Sequence, residues 1–255
     1  MTALLAGELR RMWSRHLVRI VIGLALLGIA ITGVIVAVRS SPEVGADPRF
    51  PLTMLPDILK GTSIPLIIAG WLLGASFIGA DWRVGTITTL LTWEPRRTRV
   101  IVAKVLACAA FVFALAIAVQ AVLGGVLGLD AAFRGTTEGV DATWLRETSG
   151  VAVRAATLAS VASVIGFAVA SIGRNTAAAL GAGFAYLAVI ENLVRGLRPG
   201  WQRWLFTDNA AVFITGGDVS FTFERTMLQA LVLLAAYAAA LFAVGVVMFR
   251  ARDVN

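Results

Sequence analysis

The chain has one cysteine, one histidine and two tyrosines among its 255 residues, and Asp, Glu, Lys and Arg together make up only 15% of them. Each scarcity removes a class of protein. The single Cys108 lies in an uncharged stretch, which excludes a disulfide framework and a cysteine metal cluster. The single His16, next to Arg15, excludes a histidine-rich metal site and argues against a Ser-His hydrolase within a membrane. No G-x-x-x-x-G-K-[ST] run occurs, so the chain has no Walker-type loop with which to cradle nucleotide phosphates, and no cofactor is expected on it. Gly74-Ala75-Ser76 comes nearest to a nucleophile motif, but small residues at this spacing belong to helix packing.

What remains is apolar. Hydrophobic residues make up 58% of the chain and its mean hydropathy is +0.85, against an apolar share of about 45–50% in soluble domains. Uncharged runs mark six spans, at about 20–38, 61–80, 105–129, 155–173, 175–193 and 226–249, the fifth run being rather short because it ends at Ile190 before Glu191. The expected fold is therefore an all-α integral membrane protein with six transmembrane helices, and 1–255 form one domain. The first run exceeds a signal-peptide core of about 7–15 residues and lacks a clean cleavage site, so it reads as span 1. Pro65 is expected to kink span 2 only locally. In span 3, Gly124 and Gly128 form a small-xxx-small pair suited to close helix approach.

The connections carry the rest of the information. Residues 1–19 place Leu5, Leu9, Met12, Trp13 and His16 on one helical face and Glu8, Arg11 and Arg15 largely on the other, which reads as an interfacial amphipathic helix or as the start of span 1. The proline-rich stretch 39–60 allows a short helix near Asp57. Stretch 192–225 is too apolar and aromatic for a solvated loop, so part of it is expected to be re-entrant or interfacial helix. Segments 1–19, 81–104, 173–175 and 250–255 hold 12 basic and 4 acidic residues, leaving 10 and 11 elsewhere. By the positive-inside rule these four segments, and with them both termini, belong in the cytoplasm. The net charge of +7 sits at span ends rather than on a soluble module, which points to anionic lipid headgroups and away from nucleic acid.

The segment DWRVGTITTLLTWEPRRTRVIVAK, 81–104, is the one long charged stretch held tightly between two hydrophobic runs. Gly85 releases the backbone, Thr86 suits a helix N-cap, and Ile87, Leu90 and Leu91 at i, i+3 and i+4 give a short helix one apolar face that Pro95 ends. The order Asp81, Gly85-Thr86, Leu90-Leu91, Pro95, Arg97 and Lys104 resembles the signature of type-2 ABC exporter permeases, with Asp81 where that family usually has Glu. The motif covers about a tenth of the chain, and the six-span layout extends the likeness over nearly all of it.

This resemblance implies a permease subunit whose cytoplasmic coupling helix, between spans 2 and 3, docks on a separate ABC ATPase chain that carries ATP and Mg. It also implies a second permease subunit, identical or homologous, and a place in the plasma membrane with export as the direction of transport. A secondary carrier and a non-transporting membrane scaffold are the alternatives. Glu191, near the end of span 5, either reaches the headgroups or lines a translocation path. Gln120, inside span 3, makes either a helix–helix hydrogen bond or a substrate contact.

Overall fold

The computed structural model describes residues 2–40, 50–86, 96–217 and 223–251. These residues form α1 (Thr2–Trp13), α2 (His16–Arg39), α3 (Leu55–Arg83), α4 (Arg97–Arg134), α5 (Ala142–Gly173), α6 (Thr176–Leu197), α7 (Phe206–Thr215) and α8 (Met227–Ala251). Among the described residues, α2 to α6 and α8 are the six helices long and apolar enough to cross a membrane, so the protein is membrane-embedded and multi-pass. We call the end of the bundle that carries α1 and the short 173–175 turn the proximal face, and the opposite end the distal face.

The helices outrun the uncharged stretches that announce them. A helix satisfies its own backbone in lipid and in water alike, so a charged residue at a span end does not stop it. Helix α4 has 38 residues, which at 1.5 Å per residue is roughly 57 Å and well beyond a hydrocarbon core of about 30 Å. Helix α5 begins at Ala142 because the Asp141 carboxylate caps it, accepting from the Trp144 amide at 2.7 Å. The short helix expected near Asp57 is the first turn of α3, which then runs on through Pro65.

Two contacts fix the bundle. On the distal face, Leu52 N donates to Thr136 O and Thr136 N to Phe50 O, both at 3.0 Å, tying the chain before α3 to the chain after α4. In the centre, α3 and α5 run parallel with their backbones touching. A Cβ on Gly70 would lie 2.2 Å from Ala159 O, and one on Gly74 only 1.9 Å from Ser163 O. The same geometry recurs from the other side, where a Cβ on Gly166 would lie 2.4 Å from Trp71 O. The close approach that Gly124 and Gly128 would permit is therefore made elsewhere. Among the described residues nothing lies within 4 Å of where a Cβ on Gly128 would stand, and Gly124 has an ordinary 3.6 Å contact there, because Leu123 and Leu127 take the inward positions of α4 and turn the glycines aside.

The aromatic stretch beyond α6 covers the distal end. After a 3₁₀ turn at Pro199–Trp204, α7 buries Phe206, Ala210, Val212, Phe213 and Ile214 in the same cluster as Val151 and Leu158 of α5 and Leu234 of α8. Gly74→Ala adds one methyl group against a backbone carbonyl that cannot retreat, so a loss of about 1–3 kcal/mol is expected. Gly128→Ala should change stability by no more than about 0.5 kcal/mol. Thermal unfolding of both variants in detergent checks this: equal midpoints would contradict the assigned α3–α5 contact.

Candidate functional site

The proximal ends of α3 and α4, which bracket segment 81–104, meet α1 in a buried cluster of charge. Lys104 Nζ donates to Asp81 Oδ2 at 2.7 Å and to Glu8 Oε2 at 2.8 Å. Arg15 Nη2 donates to the other oxygen of the same carboxylate, Asp81 Oδ1, at 2.8 Å, while Arg15 Nη1 reaches Ser76 O at 3.0 Å. Phe77 lies beneath both cations, its ring centroid 4.7 Å from the Arg15 guanidinium and 4.9 Å from Lys104 Nζ. Lys104 is 1% exposed, Asp81 4% and Glu8 5%, so these ions are held out of water. Removing such ions from water costs several kcal/mol each, and two acids against two bases with short hydrogen bonds offset that cost.

The positions follow from helix geometry. Glu8 and Met12, four residues apart, share one face of α1, with Met12 buried in the same cluster as Val105 and Cys108 of α4, while Arg15 follows the helix in extended backbone just before α2. The amphipathic helix is present, but rotated from its expected setting. Glu8 turns inward with Met12, while Leu9 and Trp13 are exposed, Trp13 standing edge-on to Phe111 at 6.1 Å. An ion pair deep in the cluster outweighs the segregation of apolar from polar residues. Asp81 thus has both Arg15 and Lys104 as partners.

Beyond Arg83 the chain turns at Gly85, whose φ of 71° is one that a residue with a side chain reaches only with strain. Thr86 follows, and Arg97 opens α4. Ile87, Leu90, Leu91 and Pro95 lie outside the described residues. A second turn packs alongside: Arg174, at φ 52°, sets its guanidinium 4.4 Å over the Trp82 ring, and Trp82 stands edge-on to Phe249 at 5.7 Å. The ends of α3, α5 and α8 are thereby in contact. No family model matches the chain, and no curated protein matches it either.

Glu191 and Gln120 lie away from this cluster and from each other's environment. Glu191 is fully buried in α6, where its carboxylate accepts from Arg195 Nη2 at 3.2 Å, from the Thr207 amide at 3.1 Å and from the Thr207 hydroxyl. Arg195 also holds Asp208, through Nη2 at 3.0 Å and Nε at 3.2 Å. Glu191 is thus held inside the protein, where it fastens α7 to α6. Gln120 is 2% exposed, and neither amide atom meets a hydrogen-bond partner among the described residues. Its expected helix–helix hydrogen bond is absent there.

Between α3, α5, α6 and α8 a cleft of about 910 Å³ opens sideways, bordered by Ile68, Trp71, Phe184, Leu187, Trp204 and Tyr237 among others. Neither Glu191 nor Gln120 lines it. A short π-helical turn at Tyr186–Ile190 forms part of its wall, a local geometry that recurs at functional sites. The sequence gives no signal for the cleft, whose walls are scattered over four helices.

Lys104→Met removes the group shared by two buried carboxylates and, among the described residues, leaves Glu8 with the longer Arg11 contact at 3.4 Å. A destabilisation of about 3–5 kcal/mol is expected. Adding Glu8→Gln and Asp81→Asn should return part of it, since the stranded charges are then gone. Chemical or thermal unfolding of the single and triple variants checks the sign: a triple variant less stable than Lys104→Met would show that the ions are not a coupled set.

Proposed function

We propose that the chain is the permease subunit of an ATP-driven ABC exporter, forming half of a translocation pathway with a second permease and coupling through segment 81–104 to a separate ATPase chain. The observation that carries the reading is the fastening of that segment at both ends. Asp81 and Lys104, 23 residues apart, are joined at 2.7 Å and share their charge cluster with α1. A load applied between them reaches α3, α4 and α1 together instead of being lost in a slack loop. The contacts of Trp82, with Arg174 over its ring and Phe249 at its edge, give the load two further routes, into α5 and α8.

In this reading the proximal face is cytoplasmic and both termini lie there, in keeping with the 12 basic and 4 acidic residues of the assigned inner segments. The membrane is the plasma membrane, the expected cargo is apolar or amphipathic, and the sideways cleft suits cargo taken from the bilayer. The segment around α7 is the outer, partly re-entrant cap. ATP and Mg belong to the partner chain. A secondary carrier needs ionisable groups open near the midplane. Among the described residues the buried charges, Glu8, Asp81, Lys104, Glu191 and Asp208, all sit in two paired clusters towards the helix ends. A scaffold has no use for a clamped segment with a glycine-hinged start.

Reconstitution with the ATPase that copurifies with the chain tests the proposal. Gly85→Val strains the turn, and Leu90→Asp with Leu91→Asp places charge on the expected docking face; each should leave insertion normal and cut substrate-stimulated ATP hydrolysis about fivefold or more, the scale of a lost coupling of 1 kcal/mol. A double aspartate variant that kept both ATPase binding and full stimulation would remove the docking role of this segment.

A further inference from the structure

The distal end of the sideways cleft is marked by positive charge. Trp204, which lines the cleft, carries two guanidinium groups on its ring, Arg203 and Arg225, each 5.6 Å from the centroid. Arg225 is fixed from behind, donating through Nη1 to Asn209 Oδ1 at 2.9 Å, and Arg203 is exposed. Trp204 itself is anchored by Tyr237, whose hydroxyl donates to Trp204 O at 2.8 Å. The neighbouring acids Glu191 and Asp208 are turned to Arg195, while Glu224 is exposed beside Arg225. Along the side of the cleft the lining residues Ile68 and Phe184 are 56% and 73% exposed, so the opening faces the apolar phase that surrounds the bundle.

We propose that this cleft binds an anionic amphiphile from the bilayer, its acyl chain lying between α3, α5, α6 and α8 and its carboxylate or phosphate head meeting Arg203 and Arg225. The chemistry is divided along the cleft. Inside the cleft, polar side-chain atoms of the wall are engaged: Trp71 Nε1 donates to Ala179 O at 3.3 Å, and Tyr186 Oη accepts from the Phe206 amide at 3.4 Å. The interior therefore recognises shape and apolar surface, and its volume lies within the 300–1,000 Å³ common for binding sites. Selection by charge is left to the two arginines at the Trp204 end, where apolar wall gives way to headgroup depth. The proposal deepens the exporter reading by naming a class of cargo, but binding needs neither ATP nor a partner chain.

The test uses the full chain in nanodiscs of zwitterionic lipid, with a brominated long-chain fatty acid and its methyl ester as probes. Bromine quenches tryptophan on contact, and Trp71 and Trp204 both line the cleft. The acid is expected to give a saturable component at about ten- to thirtyfold lower mole fraction than the ester, the scale of two arginines near a membrane surface. Arg203→Gln with Arg225→Gln should bring the two probes within about twofold of each other. Ala240→Phe, which fills the cleft from α8 without touching either arginine, should abolish saturation by both probes. Arg203→Gln alone, at an exposed side chain, stands in if the double variant unfolds, with an expected ratio of about threefold. Equal, non-saturable quenching by acid and ester would mean bulk lipid only and overturn the proposal, as would saturation that survives Ala240→Phe. Because no ATPase enters the assay, this failure and failure of the exporter reading are distinguishable.

Discussion

The contact of Lys104 with Glu8 and Asp81 is the constraint on which the proximal half of the molecule depends. One ammonium joins three helices that are distant in sequence, and burial makes the union obligatory: a lone ion in that place would cost several kcal/mol. Arg15 completes the neutral set from the first residues of the chain, and Phe77 lies under both cations, where its ring face contributes roughly 1–2 kcal/mol per desolvated contact. The amphipathic helix α1 is consequently part of the bundle. Its place is set by polar contacts facing inward as much as by apolar residues in the interface.

A second kind of contact supplies rigidity in the centre. Carbonyl oxygens of α5 lie where glycine Cβ atoms would be on α3, so these two helices are held in fixed register and move as one unit. The distal cluster of Glu191, Arg195, Thr207 and Asp208 then fixes the α7 cap to the end of α6. Charge is thus kept at two levels of the bundle and away from the long apolar middle. That distribution suits a protein whose parts must move in lipid without exposing an ion, and it leaves the cleft between α3, α5, α6 and α8 for apolar matter.

Much of the layout was readable from the sequence, since uncharged runs of about 20 residues in lipid have few alternatives to a helix. The six helices, the amphipathic start and the aromatic distal segment all follow from it. What the sequence hid was rotation. Glu8 and Arg15 were assigned to the water face because hydrophobic periodicity treats charge as solvated, whereas a buried partner reverses that preference. Gly124 and Gly128 matched the small-residue pattern as well as Gly70 and Gly74 do, and only the neighbouring leucines decided which pair met a backbone. The spacing of Glu8 and Met12 in α1, read against Lys104 at the edge of an uncharged run, was the one available signal for the cluster.

Hydrogen–deuterium exchange of α1 in the intact, membrane-embedded protein tests most directly whether the buried ions hold that helix. In Lys104→Met, amides of residues 4–13 are expected to exchange much faster than in the parent protein, while α3 and α5 stay protected because their backbone contact does not involve Lys104. Unchanged protection of α1 in that variant would mean that the lipid interface alone holds it, and would contradict the assignment of Lys104 as the joint between α1 and segment 81–104.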